Sequence, residues 1–503
     1  MSQTAIPTSG PTPQGVGVVS KKTGVRWVPV IGLEVHCQLK TETKLFCSCR
    51  YEFGASPNTR VCPVCTAQPG ALPVLNREAL ALAVRVAVAL GANVAPRTKF
   101  DRKNYFYCDL PKGYQISQFD QPFCTGGGLT LPSGKRVRLT RIHLEEDAGK
   151  AIHDRGDTTL VDLNRAGVPL IESVTEADMQ TSDEAYEYLT SLKEILQYAG
   201  ASDCDMEKGS LRCDVNVSVR PEGEPWRTKV ELKNLNSFKN VKDAIEHEIE
   251  RQIEAYESGD KSKFPVQETR LYDATTQTTR TMRSKEDAHD YRYFPEPDLV
   301  PFHVEPAFVE LQRTMLPELA DARRARYQRD FGLSAYDAGV LTGSRALADF
   351  FEMVVKLSGN AKETANWITN GVLANLSDPT IAAKTVDELP FRPHDLAELV
   401  QLVTDRTIHN NVGRTVLRAM FETGKSARQI VKEQGLEQVS DEGQLEKWCR
   451  EALVGKDKVI ADVKAGKTKA VAALMGPVMK ASKGSANPQL VQEILLRIIQ
   501  TEM

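Results

Sequence analysis

The sequence predicts an α+β fold: a β-rich domain with interspersed helices, followed by a carboxyl-terminal half that is all helix. Three observations predict it. Residues 28–40, VPVIGLEVHCQLK, alternate from Leu33 onward, with Leu33, Val35, Cys37 and Leu39 apolar and Glu34, His36 and Gln38 polar between them. That is the period of a strand with one buried face. Residues 211–220 repeat the pattern, Leu211, Cys213, Val215, Val217 and Val219 alternating with Arg212, Asp214, Asn216, Ser218 and Arg220. Beyond about Asp298 the alternation gives way to helical segments with short connections, ELADARRARYQRDFG among them.

The 503 residues are 41% hydrophobic and 26% charged, a soluble globular composition with room for about two to four domains. A net charge of -3 advertises no nucleic-acid partner for the molecule as a whole, so any such partner must meet a local basic patch. No apolar run approaches the length of a membrane span. Residues 1–24 are rich in Pro, Gly, Ser and Thr without an apolar signal core, and are expected to form a disordered leader. Ten cysteines without a secretory signal suit a reducing cytoplasm, where a cluster of them reads first as a metal site.

Taken in order, the strand after the leader projects Glu34 and His36 from its polar face, where a carboxylate and an imidazole two apart can share a cation or simply face solvent. Cys47, Cys49, Cys62 and Cys65 follow as C-x-C-x12-C-x-x-C, four thiolates able to hold one tetrahedral zinc or to remain free in a loop. The Ala- and Leu-rich run 76–90 predicts a buried helix with Gly91 as its stop. Residues 99–122 interleave Lys99, Arg102 and Lys103 with Tyr105, Phe106 and Tyr107, a loop able to hold phosphates and stack a base, or a surface loop with an aromatic anchor. A strand over 136–145 leads into His143, Glu145, Glu146 and Asp147, whose self-repulsion calls for a cation or for solvent. Two short strands within 159–174 carry Asp162, Arg165 and Glu172 in apolar surroundings. Ser182 is expected to cap a helix ending at Gly200, and Ser237 one ending near Glu257. Between them, TKVELKNLN predicts a strand with Lys229, Glu231 and Lys233 on one face. Arg270, Arg280, Arg283 and Arg292 on later hairpin-like segments fit phosphate recognition. Near the carboxyl terminus, seven lysines between Gly455 and Gly484 against two aspartates give a local charge of +5, either a nucleic-acid patch or a solvated face.

The acidic and histidine set, Glu34, His36, Glu145, Glu146 and Glu172, suits Mg²⁺ or Mn²⁺ better than zinc. A metal with neighbouring arginines is the equipment of phosphoryl transfer. The chain has no G-x-x-x-x-G-K-[ST] loop and no kinase signature set, so bound ATP would lie on a sheet.

The runs IGLEVHCQLKTETKLF, KFDRKNYFYCDLPKGYQISQFDQP, RIHLEEDAGK, VDLNRAGVPLIE, GSLRCDVNVSVR, VELKNLNSF and DYRYFPEPDL closely resemble the GatB/GatE family of tRNA-dependent amidotransferase subunits, as does MKASKGSANPQLV near the end. The resemblance implies a glutamine synthetase-like catalytic cradle over 25–304 with a zinc loop at 47–65, a helical domain over 305–428 and a YqeY-type tRNA-binding tail over 429–503. It implies an ATP-dependent carbon–nitrogen ligase with glutamine as amido donor. The side-chain carboxylate of Glu-tRNA(Gln) or Asp-tRNA(Asn) would be phosphorylated and the acyl phosphate passed to ammonia. The implied partners are an amidase subunit (GatA), which releases the ammonia, and a small bracing subunit (GatC).

On the family pattern, Glu34, His36, Glu145, Glu146 and Glu172 are the expected catalytic and magnesium-binding residues, with the choice between Glu145 and Glu146 left open. Lys103 and Glu146 are the candidates for the ammonia path, and Arg165, Arg212 and Arg220 for nucleotide or acyl-phosphate contacts. Lys464, Lys467, Lys469, Lys480 and Lys483 are the candidate tRNA contacts. The resemblance makes the zinc structural and dispensable to the reaction. Two rival readings are a tRNA-binding scaffold without an active site, supported by the basic tail alone, and an aminoacyl-tRNA synthetase, suggested by MKASKG without its usual partner motif.

Overall fold

The structure, a computed structural model, describes residues 16–153, 156–284, 291–436, 442–465, 468–482 and 486–502. The chain forms two compact units divided between Leu319 and Ala320. The first is built on a sheet whose strands, in chain order, are β1 (Arg26–Gln38), β4 (Arg136–Glu146), β5 (Pro169–Thr175), β6 (Leu211–Pro221), β7 (Val230–Lys233), β8 (Glu268–Asp273) and β9 (Thr278–Ser284); two further strands, β2 (Asp101–Asn104) and β3 (Tyr114–Ser117), pair outside it. The spatial order is β9-β8-β7-β6-β1-β5-β4, continued by the short strands Cys124–Thr125 and Asn93–Val94. Pairing is antiparallel except between β7 and β8.

The alternation in β1 and β6 has the consequence expected of it. Ile31, Leu33, Val35 and Cys37 of β1, and Leu211, Cys213, Val215 and Val217 of β6, are nearly fully buried in one core with residues of helices α1 (Arg77–Ala89), α2 (Ser182–Tyr198) and α3 (Phe238–Glu257). The helices cover the apolar face and leave the polar one open for a site. Asn76 caps α1 and Ser237 caps α3. The expected cap of α2 shifts by one residue: Thr181 accepts from the Glu184 amide, while the Ser182 hydroxyl is drawn off to Glu246 Oε1 at 2.7 Å.

Four other expectations are corrected. The leader is structured over its described part, because Val18 and Val19 pair with Trp27 and Arg26 while Ser20 and Thr23 donate to the Glu257 carboxylate at 2.8 and 2.6 Å; residues 1–15 lie outside the described residues. The basic and aromatic segment at 99–122 is not simply a loop, since β2 pairs with β3 and with Phe294–Pro295. The expected boundary at 304 precedes the unit's edge: helix α4 (Pro306–Met315) packs on α1 and sets Phe308 and Val309 against the first core. The expected boundary at 428 falls inside the helix Ala427–Gln434, whose Ile430 and Val431 belong to the core preceding it.

The second unit is helical, with one core from Tyr327 to Val431 and another from Leu445 to Ile499. In the first, Gly413 permits a close helix approach, since a Cβ there would lie 2.7 Å from the Trp367 ring. No helix among the described residues is long and apolar enough to cross a membrane.

One buried polar contact helps fix α3 against the sheet. Glu248, fully buried, accepts from Arg251 at 2.6 and 2.9 Å and from Gln252 at 2.8 Å, and Arg270 of β8 lies 3.8 Å away. Removing the carboxylate leaves guanidinium groups without their buried counter-charge. Glu248→Ala is therefore expected to lower stability by about 3 kcal/mol, read from denaturant unfolding.

Candidate active site

Strand register brings the site together. On the open face, Glu172 of β5 lies opposite His36 of β1 on one side and His143 of β4 on the other, and His36 lies opposite Arg212 of β6. One residue pair further on, Glu34 lies opposite Asp214. These side chains floor a cleft of ≈ 550 Å³. His36 Nε2 is 3.3 Å from Glu172 Oε2 and 3.6 Å from Glu145 Oε1; His143 Nε2 is 3.4 and 3.5 Å from the same two carboxylates. A ligand atom from each of His36, Glu145 and Glu172 lies within 4.8 Å of the others. Glu34 accepts from Asn216 at 3.1 Å, and Glu145 from the Ser117 hydroxyl at 3.1 Å.

Burying carboxylates this close together demands positive charge. Burial and then repulsion from Glu172 push the Glu34 carboxyl up. Burial acts against the charged form of Glu145 too, yet His143 and Lys103 hold its carboxyl down, to about 2. His143 shows the reciprocal effect: desolvation alone would lower it, but Glu172 and Glu145 reverse that and raise it to about 9. His36 is raised against its own desolvation, by Glu172. The carboxylate oxygens of Glu145 and Glu172 with the His36 imidazole form a donor set that fits a hard divalent metal such as Mg²⁺. At the edges, Asp147 receives Arg212 at 2.9 Å and Gln38 at 2.8 Å, and Lys233 bridges Asp214 and Glu231.

Of the candidates named from sequence, Glu34, His36, Glu145, Glu172, Lys103 and Arg212 line this cleft. Glu146 does not. Adjacent strand residues point to opposite faces, and Glu146 enters a separate pocket of ≈ 240 Å³, bound to Lys112 at 2.5 Å and to the Ile116 amide at 3.0 Å. It does not share the cleft with the other expected metal ligands, and the two ammonia-path candidates, Lys103 and Glu146, stand in different pockets. Arg165 is engaged by the carbonyls of Ala148 and Gly149 at 2.9 and 2.6 Å, where it holds a turn. Arg220 is buried against the Glu224 carbonyl at 2.6 Å, away from the cleft lining. Arg270 is taken up by Glu268 and Thr279. Lys464 and Lys480 are exposed; Lys467 and Lys483, and the side chain of Lys469, lie outside what the structure describes. His143 and Asp147, from the cluster whose charge calls for a cation or solvent, also line the cleft, and Arg141, Asp214 and Lys233 join them. The signal for His143 and Asp214 was present, since each alternates in step with a named neighbour.

The four clustered cysteines converge, their sulfur atoms all within 4.8 Å of one another. This donor set is compatible with a structural zinc ion. The Cys65 thiol is drawn down to about 4, chiefly by the Cys47 thiol, with help from the Cys62 amide and from Lys44, whose Nζ is 3.5 Å from the sulfur. Cys47 and Cys65 also wall the pocket that holds Glu146.

Comparison with known proteins places the chain in a family. Residues 29–310 match the family model described as the GatB/GatE catalytic domain, and residues 349–499 match one described as the GatB domain. The chain is 50% identical over 471 residues to the B subunit of the aspartyl/glutamyl-tRNA(Asn/Gln) amidotransferase of Caldicellulosiruptor saccharolyticus, covering 93% of this chain and 98% of that protein. It is 50% identical over 479 residues to the protein of the same name from Geotalea daltonii, covering 94% and 99%. To that from Brevibacillus brevis it is 49% identical over 481 residues, covering 95% and 99%.

The raised His143 gives a pH signature. Its protonated form supports the fold fully below the ordinary value of 6.5, and that support fades as pH rises through about 9. With divalent ions chelated, the unfolding midpoint is expected to fall across this window, and His143→Gln to flatten the slope.

Proposed function

The chain belongs to the GatB/GatE family, and from that premise we propose that it is the tRNA-binding, ATP-using catalytic component of an amidotransferase. It phosphorylates the side-chain carboxylate of Glu-tRNA(Gln), Asp-tRNA(Asn) or both, and passes the acyl phosphate to ammonia. The observation that carries this reading is the convergence of Glu34, His36, Glu145 and Glu172 on one polar sheet face. A carboxylate resists attack by ammonia because oxide is a poor leaving group; phosphorylation supplies a good one.

Glu34, His36, Glu145 and Glu172 would hold Mg²⁺, which offsets repulsion between the triphosphate and the attacking carboxylate. Arg212 and Lys233 at the rim, and Lys103 beside Tyr291, place fixed positive charge where phosphate oxygens arrive. Lys103 stands in the cleft and Glu146 in the separate pocket, so an ammonia route using both would run between the two. Ammonia would come from a partner amidase (GatA), held in place by a small third component (GatC), in the cytoplasm. We assign the first unit as the cradle, the helical segment after it as a linking domain, and the last core as a tail that offers Lys464 and Lys480 to tRNA. A tRNA-binding scaffold without chemistry leaves the buried carboxylates unexplained.

One outcome tests this. In the reconstituted complex, cleavage of γ-labelled ATP is expected to depend on mischarged tRNA and to fall of order 100-fold in Glu34→Ala and Glu172→Ala, as when one group stabilising developing charge is removed. Normal cleavage in both variants overturns the assignment. The cysteine cluster is expected to carry zinc. Cys65→Ala should lose it by elemental analysis and unfold at a lower temperature, while the cleft keeps its affinity for Mg²⁺.

A further inference from the structure

One wall of the cleft is a ladder of aromatic rings that the metal and phosphate chemistry does not use. Phe119 and Tyr293 stack face to face, with centroids 4.1 Å apart and planes inclined by 6°. Tyr291 meets Tyr293 edge-on at 6.0 Å, and Tyr105 meets Tyr291 at 6.2 Å. All four line the cleft. The ladder joins the polar floor at Lys103, whose Nζ lies 4.9 Å from the Tyr291 ring centre.

The outermost ring is the informative one. Phe119 keeps 53% of its surface exposed although it lines a pocket and is stacked on one side. A half-exposed Phe inside a cleft, stacked on one side only, offers its other face to a flat group. Its position is held: the Phe119 amide donates to Asp101 Oδ2 at 3.0 Å, Asp101 is buried, and Lys99 ties Asp101 to Asp120. The platform is thus ordered before any ligand arrives, which reduces the entropy cost of binding.

We propose that Phe119, backed by Tyr293, is an adenine-stacking subsite. A flat base laid on the open face of Phe119 continues the existing stack and leaves its sugar and phosphates directed along the wall toward Lys103 and the carboxylate floor. Base stacking on aromatic rings tolerates any base; adenine is singled out because, on the proposed function, both nucleotide-bearing substrates end in it. ATP carries one adenine, and the 3′-terminal adenosine of the charged tRNA carries the other. The subsite rests on that functional reading for the identity of its ligand, while the stacking geometry stands by itself.

The test uses the full reconstituted complex and two fluorescent probes: 2-aminopurine riboside triphosphate, and charged tRNA with 2-aminopurine at its 3′ terminus. Stacking quenches 2-aminopurine. One probe is expected to be quenched on binding, and the quench to be lost in Phe119→Leu and retained in Phe119→Tyr. The KM of the matching natural substrate should rise roughly tenfold in the leucine variant. Quenching of the triphosphate assigns the platform to ATP; quenching of the tRNA probe assigns it to the terminal adenosine. Quenching of neither, or equal quenching with and without the ring at position 119, overturns the proposal. The fluorescence readout needs no turnover, so absence of amidation in the wild type would count against the proposed function and not against the stack.

Discussion

Burial of several carboxylates on one sheet face is the constraint from which the rest of the first unit follows. Glu145, Glu172 and Asp147 are all nearly inaccessible, and an unpaired buried charge costs several kcal/mol, about what breaking a buried ion pair costs. The surroundings answer with His36, His143, Lys103 and Arg212, each pressed against a carboxylate or close enough to shift it. Such an arrangement can persist only on a rigid support. The support is the antiparallel pairing of β4, β5, β1 and β6, whose register leaves these groups little freedom to move apart. The helices on the opposite face supply the apolar burial that keeps the register in place.

The pleat also divides the chemistry. Glu145 and Glu146 are consecutive, yet one joins the cleft and the other enters a pocket walled by the cysteine cluster. Gly167 lies where the cluster and Glu146 meet: its φ is +86°, and a Cβ there would lie 3.6 Å from the Cys65 Cβ and 3.8 Å from Glu146 Oε2. The cysteine loop is also fastened to the segment that leads into β5. Asn58 accepts from the Leu163 amide at 2.8 Å, and Asn164 accepts from the Arg60 amide at 2.8 Å. Arg165 next to them holds the turn after Asp147. The cysteine loop and the rim of the cleft are therefore mechanically joined.

Arginines proved the least readable from sequence. Arg165, Arg220 and Arg270 carry a charge that suits phosphate, but each is engaged by carbonyls, carboxylates or hydroxyls of its own surroundings. A guanidinium has five donors in a fixed fork and satisfies a turn as readily as a phosphate. Only its neighbours decide which, and those come from distant parts of the chain.

What the sequence determined by itself is what depends on period. Alternation in β1 and β6 identified the buried and open faces, and so placed Glu34, His36 and Arg212 on the polar side. Spacing marked the four cysteines as one cluster, and the motifs carried the family. Tertiary structure decided what depends on register and reach. It set Glu145 in the cleft and Glu146 in the other pocket, since a run of carboxylates does not say which residue of a strand faces inward until the strand's partners are known. It brought His143 and Glu172 opposite one another from separate strands. It also drew Tyr291 and Tyr293 to the wall opened by Lys103 and Phe119. Local patterns fix which side a residue faces; only the folded chain fixes what it faces there.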